Sequence, residues 1–179
     1  MGVEELLLNH PDQRSFKMKV TFSSDHSQAT LEASYLEGFL LIPSGSKIAH
    51  WNAYYEEPNE NDAGHADLGG ACIELKIPEL RGIGLGSLFM LPLVQWLKNR
   101  PEDVPVALID LVPEDAKTPP DQAIRNRFYE KLGFKFNYGN NNAFGQSQPI
   151  RISGLILPPL QLSGGWQIKS KLQIENRIY

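Results

Sequence analysis

The 179-residue chain has a single cysteine, Cys72, so it cannot close an intramolecular disulfide. A reducing compartment is the expectation that follows, with the cytoplasm as the default, and Cys72 in its apolar run reads as a core thiol. The sequence also has no apolar run near the roughly 20 residues that cross a bilayer. Nor does it open on a basic segment followed by an apolar one: Leu6, Leu7 and Leu8 are bracketed by Glu4, Glu5 and Asn9, so neither a leader nor a membrane span is expected. Basic charge is scarce, with 17 Lys and Arg against 21 Asp and Glu and a net charge of −4, which argues against nonspecific nucleic-acid binding. His10, His26, His50, His65 and Cys72 show no metal-ligand spacing, so no metal is expected. His50 and His65 read as ordinary surface or packing histidines.

What is present describes one globular domain, 1–179, without internal repeats. The chain is long enough to bury roughly 70% of its unfolded surface. Hydrophobic residues make up 41% and charged residues 21%, the balance of a soluble protein. Charge is graded along it. Residues 1–70 hold 4 basic and 11 acidic side chains, residues 71–138 hold 9 of each, and residues 139–179 hold 4 basic and 1 acidic.

Periodicity sets the expected elements. Residues 1–12 read as a short amphipathic lead of one or two helical turns. Phe16, Met18, Val20 and Phe22 alternate with polar residues, as do Ala29, Leu31, Ala33 and Tyr35, which predicts two strands. Phe39–Ile42 reads as a resumption of the second, Pro43–Ser46 as a turn, and Lys47–Tyr55 as a further strand, so that the first third forms an antiparallel meander. An acidic loop, 56–67, precedes a strand over 69–77. A helix is expected from the glycine-rich segment to about Asn99, interrupted at Pro92. Val104–Val112 reads as a fully buried strand. Asp121 is placed to cap a second helix, Gln122–Leu132, which Gly133 ends before a strand over Phe134–Tyr138. A flexible connector follows, and 150–157 and 166–174 alternate like late strands. Together these give an α+β fold with a mixed, mostly antiparallel sheet of about seven strands and a few flanking helices.

The most informative segment joins the strand ending at Ile77 to the first helix. Gly82, Gly84 and Gly86, at every second position, let a backbone approach a ligand. They also leave amides unpaired at a helix N-terminus, where the dipole favours negative charge. This is the chemistry of a pyrophosphate cradle. It is not a P-loop, since no Gly-Lys-Ser/Thr ends it, and the GxGxxG dinucleotide fingerprint fails because the third glycine comes one position early.

Some 40 residues later, Phe128-Tyr129-Glu130-Lys131-Leu132-Gly133-Phe134 ends the second helix. Taken with Arg81-Gly82-Ile83-Gly84-Leu85-Gly86, it resembles motifs A and B of the GNAT superfamily of acyl-CoA-dependent N-acyltransferases, over about residues 66–138. The first motif is matched at Arg81, Gly84 and Gly86, the second at Phe128, Tyr129, Lys131, Gly133 and Phe134. The resemblance implies that the amides of Gly82, Ile83, Gly84, Leu85, Gly86 and Ser87 hold the CoA pyrophosphate, with Arg81 at the entrance. It implies that main-chain groups of Glu74, Leu75, Lys76 and Ile77 pair with pantetheine, and that Gln122 hydrogen-bonds CoA from the position usually held by asparagine. Tyr129 is then the group that protonates or hydrogen-bonds the departing thiolate. Asp110 is the first candidate base, Glu74 the second and Asp67 the third; a carboxylate in a fully buried strand would have its pKa raised, as such a base requires.

Two departures accompany the match. Arg125 stands where the second motif usually has alanine, and residues 23–55 read as strands where the family places one or two helices that shape the acceptor pocket. The chain therefore divides into a strand-rich N-terminal part, 1–65, an acyl-CoA half, 66–138, and late strands with a tail, 139–179. The expected function is transfer of an acetyl group from acetyl-CoA to a primary amine in a ternary complex. The acidic loop 56–67 is placed to attract a cationic acceptor, whether small amine or protein amine. The alternative is a non-catalytic GNAT-like module that acts through protein contacts, with the alternating segment Trp166–Ile174 as an exposed edge. A homodimer is possible in either case.

Overall fold

In the computed structural model, which describes residues 2–69, 75–139 and 142–169, the first half of the chain is a run of antiparallel hairpins. Strand β1 (Gly2–Asn9) pairs with β2 (Ser15–Ser24), β2 with β3 (Gln28–Gly38), and β3 with β4 (Lys47–Glu56). The alternation explains the register. Leu6 lies opposite Met18, Val20 opposite Ala33 and Leu31 opposite Trp51, all buried, so a slip by one residue would expose the whole apolar set. The lead over residues 1–12 is therefore strand and not helix. Leu6 and Leu8 face the core while Leu7 faces out, a period of two that three consecutive leucines conceal. Phe39–Ile42 does not resume a strand, because Tyr35 already closes the connection to β4: its amide donates to Ser46 O and its carbonyl accepts from Gly45 N.

Strand β5 (His65–Leu68) adds antiparallel to β4 and begins earlier than the loop boundary expected at residue 67. It also pairs with β6 (Pro105–Val106), the one parallel pairing among the described strands. The segment 104–112 is not a single buried strand. After the Ala107 amide bonds Ala66 O, the chain leaves the main sheet, and β7 (Asp110–Leu111) joins β8 (Phe136–Tyr138) and β9 (Gly145–Ser147) in a second sheet of order β7-β9-β8. Leu108 and Val112 stand 44% and 41% exposed, because the segment is covered on one side only.

Strand β10 (Ile150–Arg151) pairs with β6, and β11 (Gln167–Ile168) pairs with β1. The main sheet thus has eight strands in the order β10-β6-β5-β4-β3-β2-β1-β11. The late segment 150–157 gives only β10, followed by a 3-10 turn over Ile152–Gly154, and the described part of 166–174 closes the protein's own sheet on β1.

Helix α1 (Leu85–Lys98) packs on β3, β4 and β5 and buries most of its length. It continues through Pro92, which lies with Gln95 on the half-exposed side, so the loss of one backbone hydrogen bond does not break it. Helix α2 (Pro119–Lys131) is capped by Thr118 and not by Asp121: Thr118 Oγ1 accepts from the Asp121 amide at 3.3 Å and donates to Asp121 Oδ2 at 2.6 Å. Pro119 and Pro120 occupy the first turn, where a missing N–H costs nothing, so the helix starts three residues earlier than expected. Trp51 on β4 ties both helices to the sheet, edge-on to Phe89 of α1 at 5.6 Å and to Phe128 of α2 at 6.1 Å.

Candidate functional site

The glycine turn enters α1 through Gly84, whose φ of +97° places it in the left-handed region as the helix N-cap. No side chain caps this end. The amides of Gly82, Ile83, Gly84, Leu85, Gly86 and Ser87 have no acceptor among the described residues, and the first bonded amide is Leu88 N, to Gly84 O at 3.1 Å. The side chain of Leu85 is fully buried and Ile83 packs against the core, so the turn offers a ligand its backbone and not these side chains.

Two of the three glycines are also required by the protein's own packing. A Cβ at Gly86 would stand 3.1 Å from the Phe128 ring, and one at Gly84 would stand 3.0 Å from Gln161 O and from Leu162 Cα. Only Gly82 has open space beside it, with Ile124 Cδ1 at 4.0 Å. Arg81 folds back, its Nε and Nη2 donating to Leu75 O at 3.2 and 3.1 Å. Of the groups expected to pair with pantetheine, Leu75 O is thus taken by Arg81, Lys76 N by Ile48 O at 3.1 Å, and Ile77 O by Leu80 N at 3.1 Å.

The segment over Gly84 belongs to a C-terminal strap, which the sequence reading missed. The strap leaves the 3-10 turn at Leu155, passes the end of α2 with Ile156 N on Leu132 O at 2.8 Å, and crosses the glycine turn with Ser163 N on Ile83 O at 2.8 Å. It ends at Trp166, which is buried against Phe16, Phe39 and His10. Gly164 and Gly165, both at positive φ before a tryptophan, were the available signal in the sequence.

At its root the strap is gripped twice. Lys98 Nζ donates to the carbonyls of Ile152, Ser153 and Leu155, and the Asp103 carboxylate accepts from Ser153 N at 2.8 Å and Ser153 Oγ at 2.9 Å. The Ser153 amide is the main reason that the Asp103 pKa lies below the ordinary value. Desolvation opposes it, and the Ser153 hydroxyl and Arg151 add to it. A carboxylate depressed in the folded state contributes stability above its unfolded pKa and loses that contribution as pH falls through the folded one. Acidification below about pH 4 should therefore reduce the hydrogen-exchange protection of the Ser153 amide. Asp103→Asn should remove that pH dependence, and a dependence that survives in the variant would assign it elsewhere.

Helix α2 does not turn its expected site residues toward the glycine turn. Ile124 and Phe128 face the glycine turn. Gln122, two residues before Ile124 and so about 200° round the helix, lies on the opposite side. There it donates to Ala116 O at 3.2 Å and lines a cleft of about 320 Å³ with Asn126, Arg127, Glu130 and Tyr138. Gln122 is therefore not brought to the glycine turn. Arg125 is committed to the protein, with Nη1 on Val112 O at 2.5 Å and Nη2 on Ala143 O at 2.9 Å. In the cleft the Tyr138 hydroxyl donates to Glu130 Oε1 at 2.6 Å, and burial, followed by that carboxylate, pushes the Tyr138 pKa up to about 12.

Tyr129 is half-buried in an aromatic cluster with Phe128, Phe134 and Phe136. Asp110 is exposed, and its Oδ1 accepts from Gln146 Nε2 at 2.9 Å, so the burial expected of it is absent. Its register opposite Gln146 and Asn137 puts its side chain on one face of the second sheet. Phe136 and Tyr138 alternate with Asn137 and carry the other face, which meets Tyr129 and Glu130. The candidate base and the candidate acid thus lie across the sheet from one another. Asp67 is half-buried on β5 and Glu74 lies outside the described residues, as does Cys72. Among the described residues no group of three or more His, Cys, Asp or Glu is placed to hold a metal ion, and no helix is long and apolar enough to cross a membrane. The acidic loop is folded on itself, with Asn59 N on Asp62 O and Gly64 N on Asp62 Oδ1, and His65 Nδ1 stands 3.2 Å from Glu56 Oε2.

Comparison of the chain with family models, with curated proteins and with solved structures finds no significant match.

Proposed function

We propose that the glycine turn binds the pyrophosphate of an acyl-CoA and that the chain is a GNAT-like acyltransferase acting on a primary amine. The observation that carries this reading is the run of six amides, Gly82 to Ser87, that have no acceptor among the described residues, at a helix N-terminus that no side chain of those residues caps. The element order supports it: β5, glycine turn, α1, the 104–112 segment that leaves its parallel partner, α2, β8.

In this reading the amides of the turn neutralise the diphosphate, and Arg81 at the entrance holds the turn to Leu75. The amine nitrogen attacks the thioester carbonyl, the C–S bond breaks, and the Tyr129 hydroxyl gives its proton, or a hydrogen bond, to the leaving thiolate. The proton lost by the amine goes to Glu74, Asp67 or an ordered water. Asp110 reaches it only through an acceptor bound on its own face of the second sheet. The acidic N-terminal half is the side that draws a cationic amine.

Titration calorimetry with acetyl-CoA tests the cofactor half, and absence of binding at high micromolar concentration overturns it. Where binding holds, Tyr129→Phe should lower turnover of an amine panel roughly 10²-fold with little change in affinity; unchanged turnover removes the role given to Tyr129.

The second reading is a binding module of this fold without catalysis. It is favoured by one observation, the separation of Asp110 from Tyr129 by the second sheet. Acetyl-CoA binding without transfer to any amine of the panel would select it.

A further inference from the structure

The strap that crosses the glycine turn is held at its far end by a histidine whose two ring nitrogens both face acceptors. His10, in the turn between β1 and β2, has Nε2 at 2.7 Å from Gly164 O and Nδ1 at 2.7 Å from Asp12 Oδ1. Its ring lies 5.2 Å from that of Trp166. We propose that His10 is a protonation-dependent latch that closes the C-terminal strap onto the glycine turn.

The argument is one of proton count. An imidazolium donates at both nitrogens and satisfies the carbonyl and the carboxylate together, each as a charge-assisted bond. A neutral ring has one N–H. The carboxylate of Asp12 is the stronger acceptor and draws that proton to Nδ1, which turns the Nε2 lone pair on the Gly164 carbonyl and repels the strap. The opposite tautomer would set the Nδ1 lone pair 2.7 Å from the carboxylate oxygen, a repulsion that the Asp12 amide, donating to Nδ1 at 3.3 Å, only partly offsets. Loss of one proton therefore removes the tether at Gly164 in the first tautomer and strains the Asp12 side of it in the second.

The surroundings make His10 the variable element. Asp12 is bound by the Arg14 amide at 3.1 Å and by Arg14 Nε at 2.7 Å, so its charge is kept. The Arg14 guanidinium lies over Phe39 at 5.7 Å and over Trp166 at 5.6 Å. From the strap, residues 160–166 bring no charged side chain to the ring. β11 itself carries no charged side chain, and Lys169 just beyond it is held by its amide on Leu7 O. Three residues before Trp166, the Ser163 amide holds Ile83 O, and the Trp166 amide donates to Ser163 O at 3.3 Å, so release at Gly164 is transmitted to the turn along four residues.

The latch bears on the function in a definite direction. Ser163 takes a carbonyl of the glycine turn and none of its amides, so the closed strap fixes the conformation at Gly84 without consuming the donor set. Closure pre-organises the turn, and the protonated form is the one that binds an anion more tightly. This last consequence rests on the acyl-CoA reading above; the latch itself does not.

The test separates the two. Hydrogen exchange on the full-length protein, expressed as protection relative to the intrinsic rate, is followed at the Ser163 and Trp166 amides between about pH 5 and pH 8. Protection is expected to fall about tenfold or more across that range in the wild type, the loss of one charge-assisted bond. His10→Gln should be low and flat, and Asp12→Asn should weaken the pH dependence. Both substitutions are in a surface turn, and unchanged protection at core amides of β3 and α1 in the same spectra shows that the fold is intact. Equal wild-type protection at both ends of the range, or the same fall in His10→Gln, overturns the latch. Titration with acetyl-CoA then reads the coupling: affinity should fall with rising pH in the wild type and not in His10→Gln. If neither protein binds acetyl-CoA, the functional reading fails while the exchange result stands.

Discussion

Alanine at Trp51 is expected to lower the unfolding free energy by roughly 3–5 kcal/mol, the range for deletion of a fully buried aromatic side chain. The indole is 1% exposed and meets the rings of Phe89 and Phe128 edge-on, so its removal empties the joint between β4, α1 and α2 at once. Relaxation into the cavity is limited, because Phe128 is already held against Gly86 and Phe89 sits in the core side of α1. Tyr54→Ala, on the exposed side of the same strand, is the control and should cost about 0.5 kcal/mol or less. Urea denaturation followed by circular dichroism measures both. A Trp51→Ala loss below about 1 kcal/mol would mean that α2 is not seated on β4 through this residue, and the placement of Tyr129 would go with it.

Gly84→Glu should abolish acetyl-CoA binding, with at least a 10²-fold rise in Kd. Three effects act in the same direction. A side chain at φ +97° costs roughly 1–3 kcal/mol in backbone strain. Its Cβ meets Gln161 O and Leu162 Cα at 3.0 Å, both backbone atoms, so the strap must move. The carboxylate then adds negative charge beside the amides meant for a diphosphate. Gly84→Ala carries the first two effects without the third, and Gly82→Ala carries only strain, since nothing but Ile124 Cδ1 comes within 4.0 Å. The expected order of affinity is wild type, Gly82→Ala, Gly84→Ala, Gly84→Glu. Affinity retained within threefold in Gly84→Glu would show that the anion, if bound at all, is held elsewhere.

Particular residues mark how far pattern carries. Phe16, Met18, Val20, Ala29, Leu31 and Ala33 lie where their alternation put them, because one buried face per strand is enough to specify register. The leucines at 6–8 suggest a helical lead where the chain forms a strand, since a continuous apolar run has no period to reveal it. Thr118 displaced Asp121 as the cap because two prolines after it already impose helical φ, which moves the start upstream. The apolar neighbours of Asp110 predict burial; the change of sheet between Ala107 and Asp110 turns it outward, and no local signal records such a change. Gln122 and Tyr129, seven residues apart on α2, lie within about 20° of one another, while Ile124 and Phe128 carry the side that meets the glycine turn, which motif spacing alone does not reveal.

The sequence by itself determined the meander, the two helices, and the glycine turn with amides left over at a helix N-terminus, since each follows from contacts within a few residues or from a period along one strand. Only the tertiary structure decided which groups share a face of the second sheet, which glycines the protein's own packing requires, and that His10 and Ser163 hold one strap across the turn. Those pairings join residues 154 and 80 positions apart, and a bond of that reach leaves no periodicity at either end.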